Sequence, residues 1–215
     1  MSAAVPSTGL GHQLKIATAT MHRRVERTAF MAGLLHGQVE RRRYAGLLHN
    51  LQALYAALED ALARHASTPG VAPVVMPELF RSRALAADLR VLAGDDALAG
   101  APLARATQKY VERLHELSTT QPGLLVAHAY VRYLGDLNGG QALRRVVARS
   151  LGLAGSAGTL FYDFGDGATQ QRLLQRFRAG LETVAAQLKD SQALTDEALS
   201  AFERHEQLFE ELAAA

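Results

Sequence analysis

The chain is organised around the stretch YVRYLGDLNGGQ, residues 130–141. It lies inside a run, residues 124–143, whose apolar residues recur with helical spacing. Gly135, Gly139 and Gly140 fall in that run, and each costs a helix interior about 1 kcal/mol relative to alanine. A helix face without side chains lets its backbone approach a flat partner, and a Gly-Gly pair permits a kink. Because Asp136 shares that face, the stretch predicts either close helix packing or a break, or a ligand laid against glycine backbone with one carboxylate pointing at it.

The composition limits the class of protein. With 215 residues, 48% of them hydrophobic and 20% charged, the chain can bury the core of one domain, or of two small ones at most. It contains no cysteine, which excludes disulfides, thiolate ligands and a cysteine nucleophile. The net charge of +2 gives little reason to expect nucleic acid. No apolar run reaches the about 18 residues of a membrane span, and residues 1–11 lack the apolar core of a signal peptide. We therefore expect a soluble cytoplasmic protein.

Hydrophobic periodicity predicts helices along nearly the whole chain and no strand. The predicted helices are residues 11–28, a long helix after residue 37 that ends near residue 65, and residues 78–92, 103–117, 124–151, 170–188 and 195–212. Thr195 is a good N-cap for the last of these. Seven or eight helices without a sheet predict one all-α domain over residues 10–213, after a flexible N-terminus at residues 1–9. Ligands of such domains bind between helices.

His22 stands out among the eight histidines because of its neighbours on the first predicted helix. Lys15 lies two turns away on the same face, and Glu26 lies one turn further on. In an apolar cleft a neutral imidazole is a good ligand for haem iron, and Glu26 could accept a hydrogen bond from its other ring nitrogen. Lys15, roughly 10 Å along the face, lies about where a haem propionate would be if the iron were at His22. A lone histidine on a helix is more often a satisfied or exposed residue, and a histidine with a cation two turns away is weak evidence alone. The glycine-rich stretch, which could cover the opposite face of the ligand, strengthens it.

A di-iron centre is the rival metal site. Helical di-iron proteins draw Glu-x-x-His pairs from two helices, together with further carboxylates. Glu112 and His115 form one such pair, and the sequence contains no second one. Two surface residues are the simpler interpretation of this pair.

Two motifs resemble those of the haem oxygenases. The run LKIATATMHRRVE, residues 14–26, resembles the proximal helix of that family, and residues 130–141 resemble its distal helix nearly residue for residue. Similarity continues in Phe30-Met31, in Gly37-Gln38-Val39, at residues 55–59 and at residues 207–212, in the same order along the chain. The resemblance implies a single helical domain in which haem is sandwiched between a proximal helix and a kinked distal helix. It also implies a bacterial-type enzyme without the hydrophobic tail that anchors eukaryotic members.

The resemblance assigns site residues position by position. The iron ligand and the carboxylate near it would be His22 and Glu26. The kinked distal backbone that touches the haem would be Gly135, Gly139 and Gly140. The network that organises distal water would be Asp136, Tyr55 and Arg132. The groups that hold the propionates would be Lys15, Tyr130 and Arg178, and the aromatic residue that lines the pocket would be Phe202.

One position departs from the family's pattern. Four residues before Arg178, where well-known members carry a lysine, this chain has Leu174. Arg172 and Arg176 are the candidates to compensate. The departure bears on propionate anchoring and so on the in-plane orientation of the haem.

The activity that the resemblance implies is oxidative cleavage of haem b, both cofactor and substrate, by dioxygen to biliverdin, ferrous iron and carbon monoxide. The sequence shows no flavin or nicotinamide motif, so a separate electron donor is expected: a ferredoxin, a flavodoxin or an NAD(P)H-dependent reductase. A monomer is expected, and the purpose is iron acquisition or bilin supply. Two alternatives stay open: a non-catalytic haem-binding or haem-delivery protein, and a di-iron oxygenase on a related helical scaffold. The biliverdin isomer and the identity of the donor are not fixed by the sequence.

Overall fold

The computed structural model describes residues 9–93, 101–188 and 191–214, and within these ranges the chain is helical and contains no strand. The expected all-α fold is therefore confirmed. Of the predicted flexible segment, residues 1–9, only the last residue is among those described. The helices are α1 Leu10–Glu26, α2 Ala29–Leu35, α3 Arg41–Arg64, α4 Ser82–Ala93, α5 Arg105–Thr120, α6 Leu125–Ala129, α7 Gly135–Leu151, α8 Gly167–Ala185 and α9 Ser191–Ala214.

The helix predicted at residues 124–151 is interrupted by a π-helical turn. This turn, Tyr130–Leu134, joins α6 directly to α7. Single π-helical turns inside α-helices occur frequently at functional sites, because one extra residue per turn reorients the side chains around it. The irregularity comes before the glycines, and α7 stays α-helical through Gly139 and Gly140.

Two helix starts, those of α4 and α9, differ from the prediction by four residues. Helix α4 begins at Ser82 because Pro77–Leu79 forms a separate 3-10 turn, and the Glu59 carboxylate accepts a hydrogen bond from the Ser82 backbone N–H at 3.1 Å. Helix α9 begins at Ser191, so the N-cap predicted at Thr195 is wrong. The Thr195 hydroxyl lies inside the helix and donates to the Ser191 carbonyl at 3.0 Å. Thr195 has a side chain suited to capping, but the residues before it, from Ser191, are already helical.

Packing of α1 against α9 and α8 positions the first wall of the site. The Glu182 carboxylate of α8 accepts hydrogen bonds from the backbone N–H groups of Leu10 and Gly11 at 3.2 and 3.3 Å, which satisfies the first donors of α1. One face of α1 is buried at helical spacing, through Leu10, Leu14, Thr18, Met21 and Val25. The opposite face, which carries the residues singled out in the sequence, is left accessible.

Helix α3 lies beneath the π-helical turn and packs against α4 and α5. Its Tyr55 is fully buried, with its ring 5.4 Å from that of Phe161 and 6.3 Å from that of Tyr133. This packing brings the Tyr55 hydroxyl to the underside of the helix that carries the glycine motif. None of the helices within the described ranges has the length and apolar character that crossing a membrane requires.

Candidate functional site

A cleft of about 820 Å³ separates α1 from the π-helical turn and the start of α7. A volume of this size is typical of sites for small molecules and cofactors. The α1 residues that line it are Gly11, His12, Lys15, Thr18, Ala19, His22, Arg23 and Glu26. The opposite wall and the two ends are formed by Tyr130, Val131, Leu134, Gly135, Asn138, Gly139, Arg178, Glu182 and Phe202.

His22 lies on the α1 wall with about half of its side chain exposed. Its Nδ1 is 3.5 Å from a carboxylate oxygen of Glu26, one turn further along the helix. The Phe202 ring from α9 meets the imidazole edge-on, with 5.8 Å between the ring centres. These two contacts orient the imidazole and leave Nε2 as the nitrogen available to a metal. The predicted proximal group, His22 with Glu26 and Phe202, is thus brought together in the cleft.

Two of the three predicted glycines form the facing wall. A Cβ atom added at Gly135 or Gly139 would meet no atom within 4 Å, so both positions open onto free space in the cleft. Gly140 differs: it is buried, and its added Cβ would lie 3.4 Å from the Tyr162 ring. The cleft therefore faces a patch of bare helix backbone made by Gly135 and Gly139, whereas Gly140 accommodates the core.

Asp136 lies between these glycines in sequence but beneath the cleft wall in space. Its carboxylate is 7% exposed and does not line the cleft. The Tyr55 hydroxyl donates to one carboxylate oxygen, and Arg132 Nη2 donates to the other at 3.0 Å. Arg132 Nε also donates to the Tyr55 hydroxyl, at 2.8 Å. The three residues expected to organise the distal side, Tyr55, Arg132 and Asp136, thus form one closed set of hydrogen bonds, the distal triangle.

The electrostatics of this triangle follow from its burial. Burial raises the pKa of Asp136, and the Arg132 guanidinium and the Tyr55 hydrogen bond oppose that rise. Burial also raises the pKa of Tyr55 well above 10, which keeps the phenol protonated as a donor. A carboxylate has about four lone-pair positions, and this one uses two of them within the triangle. The remaining positions can accept further hydrogen bonds.

The three groups expected to hold propionates all line the cleft. Lys15 and Arg178 are exposed side chains of the cleft lining. Tyr130 is 8% exposed and forms a side-chain hydrogen bond with Thr18. These residues give the cleft lining two exposed cations and a buried phenol, which are groups that can bind carboxylates.

Neither nearby arginine supplies the cleft with the charge of the missing lysine. Leu174 is buried in the core. Arg176 pairs with Glu78 at 2.7 Å, and Arg172 donates to Thr169 at 3.0 Å, and neither arginine lines the cleft. The titratable residues that do line it, beyond those expected from the sequence, are His12, Arg23 and Glu182.

Sequence reasoning missed several lining residues that carried a signal. Val131, Leu134 and Asn138 recur with Gly135 and Gly139 at spacings of three and four, which places all five on one helix face. The glycines marked that face, and its other members could have been read from the same spacing. Glu182 carried no comparable signal because it reaches the cleft from α8.

A second buried cluster, which sequence reasoning also missed, surrounds His128. The Tyr110 hydroxyl is 2.9 Å from His128 Nδ1, and His128 Nε2 is 2.9 Å from a Glu197 carboxylate oxygen. Arg113 Nη2 donates to the other oxygen of Glu197 at 2.6 Å. Burial would raise the pKa of Glu197, but the hydrogen bonds from His128 and Arg113 outweigh it and lower the pKa to about 2. Burial lowers the pKa of His128, so its neutral ring donates from Nε2 and accepts from Tyr110.

The rival di-iron half-site does not gather further ligands. Glu112 and His115 are both exposed on α5. Within the described ranges, no three histidine, aspartate or glutamate side chains come together as a metal site. The pair is best described as two surface residues.

Comparisons with known proteins agree with this geometry. The model of the heme oxygenase family matches residues 8–211. A heme oxygenase of Rhodella violacea is 35% identical, over 95% of this chain and 87% of its own length. Heme oxygenase 1 of Rattus norvegicus is 39% identical, over 97% of this chain and 73% of its own length. The crystal structure of heme oxygenase-1 from Synechocystis in complex with heme superposes with a TM-score of 0.87 at 32% identity and covers 96% of this chain and 93% of that one. The chain belongs to the heme oxygenase family.

Proposed function

We propose that this chain cleaves haem b, its cofactor and its substrate, with dioxygen to biliverdin, ferrous iron and carbon monoxide. One observation carries the proposal: an accessible imidazole, His22, faces bare helix backbone at Gly135 and Gly139 across a cleft of about 820 Å³. His22 and the backbone at Gly135 and Gly139 would hold a flat macrocycle in this cleft. Bound haem supplies both the iron chemistry and the ring that is cleaved. The residues of the chain orient that ring, exclude bulk water and control protons.

His22 is the proposed iron ligand. Glu26, 3.5 Å from Nδ1, favours the tautomer with its proton on Nδ1, so that Nε2 is unprotonated and can bind the metal. His22→Ala should still bind haem, because apolar burial dominates affinity for a large macrocycle. It should lose the absorption spectrum of histidine-ligated haem and all turnover. His115→Ala, an exposed histidine outside the cleft, is the matched control and should keep both. An unchanged spectrum in His22→Ala would contradict the assignment.

Lys15, Tyr130 and Arg178 orient the haem. Lys15 and Arg178 are exposed, so ion pairs with propionates stabilise the complex by roughly 1 kcal/mol or less each. Burial of the apolar ring, at about 25 cal/mol per Å², contributes more. These residues therefore determine the in-plane orientation of the haem more than its affinity. Leu174 is buried and apolar, so it provides no charge that could bind a propionate.

Asp136 is proposed to hold water at the glycine wall. Tyr55 and Arg132 fix its carboxylate, and its free lone pairs accept hydrogen bonds from that water. Since Gly135 and Gly139 leave no side-chain acid or base at the haem face, proton delivery depends on this water. The same buried triangle disfavours the alternative of a passive haem-binding or haem-delivery protein, which has no use for an oriented carboxylate there.

Replacement of Asp136 tests this role. Asp136→Ala should bind haem nearly normally, yet with hydrogen peroxide it should oxidise an added phenol, and biliverdin yield should fall steeply. Asp136→Asn keeps the shape and one acceptor, so it should lose less. Both variants are compared by product chromatography and by the rate of phenol oxidation. Full biliverdin formation by Asp136→Ala without phenol oxidation would refute the role.

The partners and the context of the enzyme are part of the same proposal. Electrons come from a separate ferredoxin, flavodoxin or NAD(P)H-dependent reductase, and the enzyme acts as a cytoplasmic monomer that binds neither nucleic acid nor membrane. Residues 10–213 form one domain, an assignment supported by the packing of α1, the first helix described, on α9, the last one. Turnover assays with each donor class, together with size-exclusion chromatography of the haem-loaded protein, test these assignments.

A further inference from the structure

His205 is a buried histidine next to the distal triangle. It lies on α9, 2% exposed, with its ring 5.1 Å from that of Tyr110 and 6.1 Å from that of Phe209. Its Nε2 is 3.4 Å from Nη1 of Arg132, whereas its Nδ1 is buried without a hydrogen-bond partner. It does not line the cleft, so any effect on the haem site must pass through Arg132.

The chemistry of the contact determines where the proton of His205 lies. A guanidinium only donates hydrogen bonds, so His205 Nε2 must accept from Arg132. Burial lowers the pKa of His205 well below its usual value, and the nearby Arg132 charge acts in the same direction. The imidazole is therefore neutral, and its single proton is on Nδ1. A buried N–H without a partner is unfavourable, and an apolar side chain at this position would avoid that cost.

The three nitrogens of Arg132 are divided among three acceptors. Nε donates to Tyr55 at 2.8 Å, Nη2 to Asp136 at 3.0 Å and Nη1 to His205 at 3.4 Å. Two of these acceptors belong to the distal triangle, and the third comes from α9, on the other side of the guanidinium. A planar group held at three nitrogens has a single orientation.

We propose that His205 is a positioning residue: as a neutral Nδ1–H imidazole it accepts a hydrogen bond from Arg132 and so fixes the guanidinium that orients Asp136. The proposal deepens the function proposed above, since it rests on the role of Asp136 in proton control. It assigns α9 a second contribution to the site, in addition to Phe202 in the cleft.

The protonation state can be measured directly on the full-length protein, with and without haem. Long-range proton–nitrogen correlation spectra of histidine-labelled protein distinguish the two neutral tautomers and the imidazolium, and the signal of His205 is the one lost in His205→Gln. The Nδ1–H tautomer between about pH 6 and pH 8 is the expected result. A proton on Nε2, or a charged ring, would overturn the proposal. This arm does not depend on activity.

Two replacements of His205 test the functional consequence. His205→Gln places an amide oxygen near Nε2 and can still accept from Arg132, whereas His205→Leu has similar bulk and no acceptor. The ratio of biliverdin formation to phenol oxidation should fall about threefold to tenfold in His205→Leu, the range for the loss of one hydrogen bond, and should return to within about twofold of wild type in His205→Gln. Equal losses in both folded variants would contradict a role as acceptor.

The two arms keep the proposal separate from the proposed function. If the wild-type protein formed no biliverdin, the proposed function would fail, whereas the tautomer spectrum would still decide the contact with Arg132. If His205→Leu did not fold, as shown by its circular dichroism and urea midpoint, the spectrum of the wild-type protein would carry the test alone.

Discussion

Gly139→Ala should stabilise the haem-free protein and weaken its complex with haem. Gly139 lies in the interior of α7, and an added Cβ would meet no protein atom within 4 Å. Alanine therefore gains its full helix preference over glycine, about 1 kcal/mol in the free energy of unfolding. If haem lies against the glycine wall as proposed, the same methyl group would project at the macrocycle, and overpacking of this kind costs about 1–3 kcal/mol. The haem dissociation constant should rise about 5- to 150-fold.

Urea unfolding of the haem-free protein and haem titration followed by absorbance measure the two effects separately. Gly46→Ala is the matched control, because Gly46 also lies in a helix, also has free space around its added Cβ and does not line the cleft. It should give a similar gain in stability with unchanged haem affinity. If Gly139→Ala also left haem affinity unchanged, the ligand would not contact the glycine wall and the sandwich geometry would be refuted.

Two further outcomes follow from the structure. The pKa of Glu197 is lowered to about 2 in the folded protein, from about 4.5 in the unfolded chain, because of its hydrogen bonds with His128 and Arg113. At pH values above 4.5 these hydrogen bonds therefore stabilise the fold by about 3 kcal/mol, and this stabilisation is lost as the pH falls toward 2. Urea unfolding should therefore show a gap between wild type and Glu197→Gln that is largest at neutral pH and shrinks in acid; a gap independent of pH would contradict this. Arg178→Ala should change the ratio of biliverdin isomers in chromatography more than it changes haem affinity, and a hundredfold loss of affinity with one unchanged isomer would oppose the assignment.

The α1 wall could be predicted from sequence because its relations are local. Lys15, His22 and Glu26 are seven and four residues apart, and a helix places such residues on one face whatever the rest of the chain does. The structure brings all three into the cleft. The same reasoning applied to the glycine motif identified a bare face. The spacing of four also pairs Gly135 with Gly139 and Asp136 with Gly140, so the separation of Gly140 from that face could have been predicted and was missed.

Contacts made by packing could not be predicted in this way. Tyr55 reaches Asp136 from α3, across 81 positions of sequence, and only the family resemblance indicated that pair. His205 and His128 look like ordinary core positions of amphipathic helices, and their partners become visible only once α9 is packed against α5 and α6. The π-helical turn was missed for a different reason: its apolar spacing is that of a regular helix, and one extra residue per turn leaves no clear trace in composition.

The most direct test of the account is the fate of haem in the cleft. Purified protein is loaded with hemin, supplied with ascorbate and air, and followed by absorbance, with His22→Ala as the control. The Soret band should decay while a bilin band grows, and this conversion should be absent in His22→Ala. A Soret band that stays stable under ascorbate would contradict the enzyme and indicate a haem-binding protein, and the absence of any Soret band on mixing would contradict the haem site itself.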